Sequence, residues 1–208
     1  MRIYFFLFLL VFISCTKTSQ ISKDTIVAVQ PYKGFPKNKI DTLSKTIAVF
    51  YKLKVVVLPE IDLPKSAFIT IKSPRYRADN IIRIQNRNCP DNYDFIVGLT
   101  ASDISITKVN PDGSTKEPKW KYNDFGVMGL AYCPGKSAII SSFRLKTNDS
   151  KLHFNRLKKV TIHEFGHNLG LPHCKNSHCV MTSANEKIAT IDNEKMELCE
   201  ACKSRINR

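Results

Sequence analysis

The stretch His163-Glu164-Phe165-Gly166-His167 constrains this chain more than any other feature. Positions i and i+4 of a helix sit one above the other, so both imidazoles point at one ion. Glu164 is one residue on and cannot share that direction, but it reaches water bound to the ion. A helix must therefore run through 163–167 with one face open to a cavity. Gly170 follows, where a glycine with positive φ ends a helix and turns the chain sharply. His173 then returns to the same ion. Three neutral imidazoles with one open position describe a catalytic zinc site rather than a closed structural one. The bland reading is two surface histidines and an unrelated third, and the full HExxHxxGxxH spacing argues against it.

The next residues sharpen the pattern. Four of the five His and four of the seven Cys fall between His163 and Cys202. Cys174 and Cys179 enclose four residues, Met181 follows after one more, and Cys199 and Cys202 form a CxxC. Four thiolates in two pairs fit a tetrahedral zinc site. Two disulfides are the competing arrangement, because thiols outside the cytosol tend to oxidise.

The run HExxHxxGxxHCxxxxCxM, then seventeen residues, then CxxC, resembles the signature of the archaemetzincins, zinc metallopeptidases of the metzincin clan. It matches at every fixed position from His163 to Cys202, and the resemblance covers residues 41–208. The segment Phe125 to Phe143 also looks like the family's strand-loop-strand ahead of its active-site helix. The resemblance implies an α/β fold: a metzincin-like mixed sheet, an active-site helix and a small Cys-rich C-terminal subdomain. It implies two zinc ions. His163, His167 and His173 would hold the catalytic one, with Glu164 as general base towards a metal-activated water. Cys174, Cys179, Cys199 and Cys202 would hold the structural one. Met181 would be the Met-turn residue, an apolar floor beneath the imidazoles; an ordinary core Met is the alternative. The expected activity is peptide-bond hydrolysis on a peptide or protein substrate. An extended substrate is expected to pair with one strand ahead of the helix, Phe125–Ala131 or Ala138–Phe143.

Three other functions compete. One is a non-catalytic, zinc-stabilised peptide-binding protein of the cell envelope, which would have no need of Glu164. The second is a hydrolase acting on a non-peptide acyl group, and the third a basic envelope-binding protein. The chain carries 32 Lys+Arg against 18 Asp+Glu, a formal charge of +14, which attracts anionic surfaces but names no reaction.

Eleven apolar residues, Ile3 to Ile13, follow Arg2. A permanent spanning helix needs ~20. One positive residue, a short apolar core and small residues after it describe a signal peptide over 1–14. Ser14-Cys15 resembles a lipoprotein box, which implies lipidation of Cys15, a tether within residues 15–40 and attachment to a membrane. A plain signal peptide and an uncleaved anchor are the alternatives. The expected location is outside the cytosol, in the cell envelope.

With 43% hydrophobic and 24% charged residues, long disorder is excluded. Ile40, Leu43, Ile47, Phe50 and Tyr51 recur at helical spacing, and Lys52–Leu58 reads as a strand up to Pro59. Ala78, Ile81, Ile82 and Gln85 share one face of a second helix. Phe95–Thr100 is a buried strand by composition. Residues 110–124 form a polar loop, Phe125–Ala131 and Ala138–Phe143 are strands, and Asp149 or Ser150 caps a helix running to about Leu169. A metallopeptidase N-terminal subdomain over 41–172 and a C-terminal subdomain over 173–208 are expected.

Several residues are set aside. His153 lies roughly 280° around the helix from His163. His178 sits among thiols that already fill a tetrahedron. Trp120 and Tyr122 among lysines read as a solvated loop, and no nucleic acid partner is expected. Arg75, Arg77, Arg83 and Arg87 read as a charged helix face. Cys89 and Cys133 form a candidate disulfide.

Overall fold

The computed structural model describes residues 21–184 and 187–206; the expected signal segment and Cys15 lie outside them. In chain order the elements are β1 (Ile26–Pro31), α1 (Lys37–Tyr51), β2 (Lys54–Val57), β3 (Phe68–Ile69), β4 (Arg75–Arg77), α2 (Ala78–Asn88), β5 (Phe95–Thr100), β6 (Ile104–Ile106), α3 (Lys119–Tyr122), β7 (Phe125–Val127), β8 (Gly129–Ala131), β9 (Ser137–Ser141), α4 (Ser150–Asn168), α5 (Ile188–Asn193) and α6 (Glu200–Ile206).

Five strands form a mixed sheet in the order β2-β1-β5-β9-β8, with β8 antiparallel at one edge and the rest parallel. Parallel strands buried on both faces read as continuous apolar runs, which is why β5 and β9 are buried along their whole length. The pleat sorts their side chains. Val27, Val29, Val97, Leu99 and Ile140 join a core with α1 and α4, whereas Ile139 joins a second core against α2. A smaller sheet, β3-β4-β6-β7, lies beyond.

Two expectations are corrected. The folded region starts well before residue 41, because β1 pairs with both β2 and β5 inside the main sheet. The expected strand Phe125–Ala131 is two strands: β7 pairs with β6 in the small sheet and β8 with β9 in the large one, with Met128 as the crossing point.

Helix α4 is fixed at both ends as its residues dictate. The Asp149 carboxylate accepts from the backbone N–H groups of Lys151 and Leu152, answering two donors that a helix start leaves open. Gly170 takes φ +89, and the Gly170 and Leu171 N–H groups bond back to the carbonyls of His167 and Gly166. Beyond it the chain returns beneath α4. Arg156 holds Asp192 through two bonds of 2.7 Å, and buried Lys159 donates to the carbonyls of Ile191, Asp192 and Glu194, tying α5 to α4.

Candidate active site

His163 and His167 project from the middle and end of α4, and His173 returns from the loop after Gly170. One nitrogen of each lies within 4.8 Å of the others. The Nδ1 of His163 lies 2.7 Å from the Val180 carbonyl and that of His167 2.7 Å from the Leu171 carbonyl. A carbonyl only accepts, so each Nδ1 carries the proton and each Nε2 keeps its lone pair. The two Nε2 atoms stand 3.0 Å apart, close to the ~3.3 Å edge of a tetrahedron with Zn–N bonds of ~2.0–2.1 Å. Burial and the neighbouring His167 push His163 down to about 3, and burial pushes His167 down to about 4. Both rings are therefore neutral at physiological pH, the state a metal needs. His153 and His178 stay outside the trio.

Glu164 packs against β8. A Cβ added to Gly129 would lie 2.6 Å from Glu164 Oε1, so only glycine lets the edge strand come this close. Burial pushes the Glu164 carboxyl up to about 8. A cation held by the imidazoles opposes that shift. Gly166 makes a similar approach on the buried face: a Cβ there would meet Met181 Sδ at 2.5 Å. Met181 is fully buried under the helix, where the resemblance puts a floor.

Cys174, Cys179, Cys199 and Cys202 form a second cluster of free thiols, again with Sγ atoms within 4.8 Å of one another. The Cys174–Cys199 and Cys179–Cys202 sulfur pairs are 3.7 and 3.8 Å apart. Zn–S bonds of ~2.3 Å give a tetrahedral edge of about 3.8 Å. Backbone N–H groups of Asn176 and Cys199 point at the sulfurs of Cys174 and Cys179, as they would at thiolates. Cys89 and Cys133 are not joined. Cys89 Sγ donates to the Pro90 and Tyr93 carbonyls, and Cys133 Sγ to that of Leu171.

A cleft of about 680 Å³ runs past His163, Glu164 and His173. Its lining includes Lys72, Arg75, Lys108, Lys121 and Arg144 from β4, α3 and neighbouring loops, and Val160, Ile188, Ile191 and Glu194 from α4, α5 and the residue after α5. Arg75 was expected on a solvated helix face. It is instead a buried strand residue, 8% exposed, with Nε 3.3 Å from Asp103 and Nη1 3.7 Å from Asp124. Arg144 holds the same Asp103 at 2.7 and 2.8 Å, and its guanidinium lies over Gly126. Trp120 is 75% exposed, as expected of a solvated residue, but it sits in the short helix α3 rather than in a loop.

Comparison with known proteins decides the family. Residues 23–208 match Peptidase family M54. The chain belongs to that family. The archaemetzincin of Haloquadratum walsbyi is 28% identical over 186 residues, 85% of this chain and 96% of the relative. That of Natronomonas pharaonis is 30% identical over 86% of this chain and 98% of the relative. The crystal structure of the Archaeoglobus fulgidus archaemetzincin complexed with malonate superimposes with a TM-score of 0.71 at 27% identity, over 88% of this chain and all of that one. The Methanopyrus kandleri archaemetzincin has the same fold, with a TM-score of 0.71 at 24% identity over 88% of this chain and 96% of that one. The chain is thus a zinc metallopeptidase of mixed α/β fold with a small Cys-rich C-terminal region.

Proposed function

We propose that this protein hydrolyses peptide bonds at the His163–His167–His173 trio, with Glu164 as general base. The observation that carries the reading is the convergence of three lone-pair-bearing imidazoles and a buried carboxylate in one cleft beside an edge strand. When bound to the trio, zinc polarises the scissile carbonyl and lowers the pKa of a water to ~7. Glu164 takes the proton from that water at its carboxylate and passes it to the leaving amine. Strand β8 has no strand partner on its outer edge among the described residues, so its backbone is available to an extended peptide. Met181 packs against Gly166 and holds α4 at a fixed height under the rings. The four thiols hold a second zinc, which gives two ions per chain and a structural role for the C-terminal segment.

Glu164→Ala tests the reading. It should keep zinc and lose ~10²–10⁴ in rate, because Glu164 is no ligand. Full activity in the variant, free of contaminating proteases, would sink it. Elemental analysis should give two zinc ions per chain, with four thiols released by chelator under denaturation. One ion and no such thiols would remove the structural site.

The N-terminus carries a separate proposal, supported by the apolar run Ile3–Ile13 and the Ser14-Cys15 pair. Cys15 bears lipid and anchors the peptidase to a membrane of the cell envelope. Buried acyl chains contribute ~0.8 kcal/mol per CH₂, so Cys15→Ser should move the protein to the soluble fraction. Unchanged fractionation and fatty-acid labelling would refute the anchor.

A further inference from the structure

The cleft also holds a largely buried carboxylate that the hydrolytic chemistry does not use. Glu194 is 6% exposed, lies just past α5, and lines the same cleft as His163 and Glu164. Its carboxylate has no hydrogen-bond or ion-pair partner among the described residues. The obvious counter-ion is spent elsewhere: Lys159 Nζ donates to the carbonyls of Ile191, Asp192 and Glu194 and stands in no ion pair with the carboxylate. Neither oxygen is among the fully buried polar atoms that lack a partner, so the carboxylate opens onto the cleft and a group entering it can pair with it.

The surroundings say what would pair with it. Val160 sits one turn ahead of His163 on the same face of α4, and Ile188 and Ile191 line the cleft from α5. The pocket therefore begins beside the catalytic trio, has aliphatic walls and includes an acidic group. An aliphatic stem ending in a cation matches those three properties together. We propose that Glu194 is a specificity determinant that receives a lysine or arginine side chain of the substrate next to the cleaved bond. The inference rests on the peptidase reading above and names the substrate class for that site. Burial pushes the Glu194 carboxyl up to about 8 while the Lys159 charge opposes the shift. An arriving ammonium or guanidinium supplies the stabilisation that the empty pocket lacks.

The test uses the full, zinc-loaded chain and a cleavable peptide varied at each position flanking the cut. Lys, Arg, norleucine, Gln and Glu are placed there in turn. The wild type should favour Lys or Arg over norleucine by about tenfold or more in kcat/KM at one position, and Glu194→Gln should collapse that ratio to near unity. A wild type without basic preference, or a preference that survives Glu194→Gln, overturns the proposal and leaves the peptidase reading standing. A second readout is binding of labelled Lys and norleucine peptides to zinc-loaded Glu164→Gln, which does not turn over. Lys-selective binding that disappears with Glu194→Gln, in a protein whose wild type cleaves nothing, supports the pocket and removes the peptidase reading. Absence of both cleavage and Lys-selective binding removes both. Should Glu194→Gln fail to fold, Glu194→Asp keeps the charge but retracts it by one methylene. It must shift the preference from Lys towards the longer Arg, and an unshifted ratio overturns the proposal.

Discussion

Glu164 and Gly129 show how a single missing side chain sets a geometry. The carboxylate and the edge strand are in contact only because residue 129 has no Cβ; an added methyl would sit 2.5 Å from Glu164 Cγ and 2.6 Å from Oε1. Glu164 cannot retreat, since it is buried on the helix that carries the imidazoles. Gly129→Ala should therefore displace Glu164, the proposed general base, or push β8 outwards. Displacements of about 1 Å in such a constellation cost ~10² in rate. Zinc content should be unchanged, because the methyl touches no imidazole. Metal analysis beside peptide kinetics checks this, and wild-type kcat/KM in the variant would contradict it. Glu164 itself was legible from its place between two histidines. Gly129 was not, because nothing local distinguishes a glycine that meets a distant helix from one that relaxes a strand. Arg75 was misread for a similar reason: its burial depends on Asp103 and Asp124, both remote in sequence.

At the scale of elements, α4 is where local chemistry and final structure agree most fully. Its N-cap and its terminating glycine are local signals, and both operate as expected. The cap makes a measurable contribution. Asp149→Ala should lower unfolding free energy by ~1 kcal/mol (range ~0.5–2) in urea titrations, because two N–H groups lose their acceptor. An unchanged midpoint would mean that water replaces the carboxylate without loss. The strands were less legible. Residues 125–131 are apolar enough to read as one strand, yet Met128 divides them between two sheets, and only pairing with β6 and β9 decides where. Strand β1 was missed because it is a short apolar run close behind a polar stretch. Its identity as a central strand comes from β2 and β5 on either side, which no window around residue 26 contains.

For the whole molecule, the buried ionisable groups set a pH signature of the metal-free state. His163 and His167 titrate at about 3 and about 4 in the folded chain, below their ordinary 6.5. Between those values the unfolded chain binds more protons, so their contribution to stability is present above 6.5 and is lost as pH falls towards 4 and 3. Glu164 and Glu194 are each raised from 4.5 to about 8, and the sign reverses. Their contribution is present below 4.5 and is lost as pH rises through 8. In chelated protein these four groups should give a plateau from about pH 4.5 to 6.5 with decline on both sides. Urea titrations from pH 3.5 to 8.5, on the order of the range spanned by these shifts, would reveal it. A stability that climbs steadily to the alkaline end would contradict it. Added zinc should reduce the alkaline decline by the share of Glu164, since a dication beside it favours its ionised form, and leave the share of Glu194.

His173 and Cys174 are consecutive residues, one in each ligand cluster. Adjacent Cα atoms are held ~3.8 Å apart by the peptide bond, so neither cluster moves without the other. On the proposed reading, oxidation of the thiols would pull on the third imidazole directly. On that reading the proposed hydrolytic centre would be geared to the redox state of its own C-terminal segment, through one covalent link rather than through the packing of a domain.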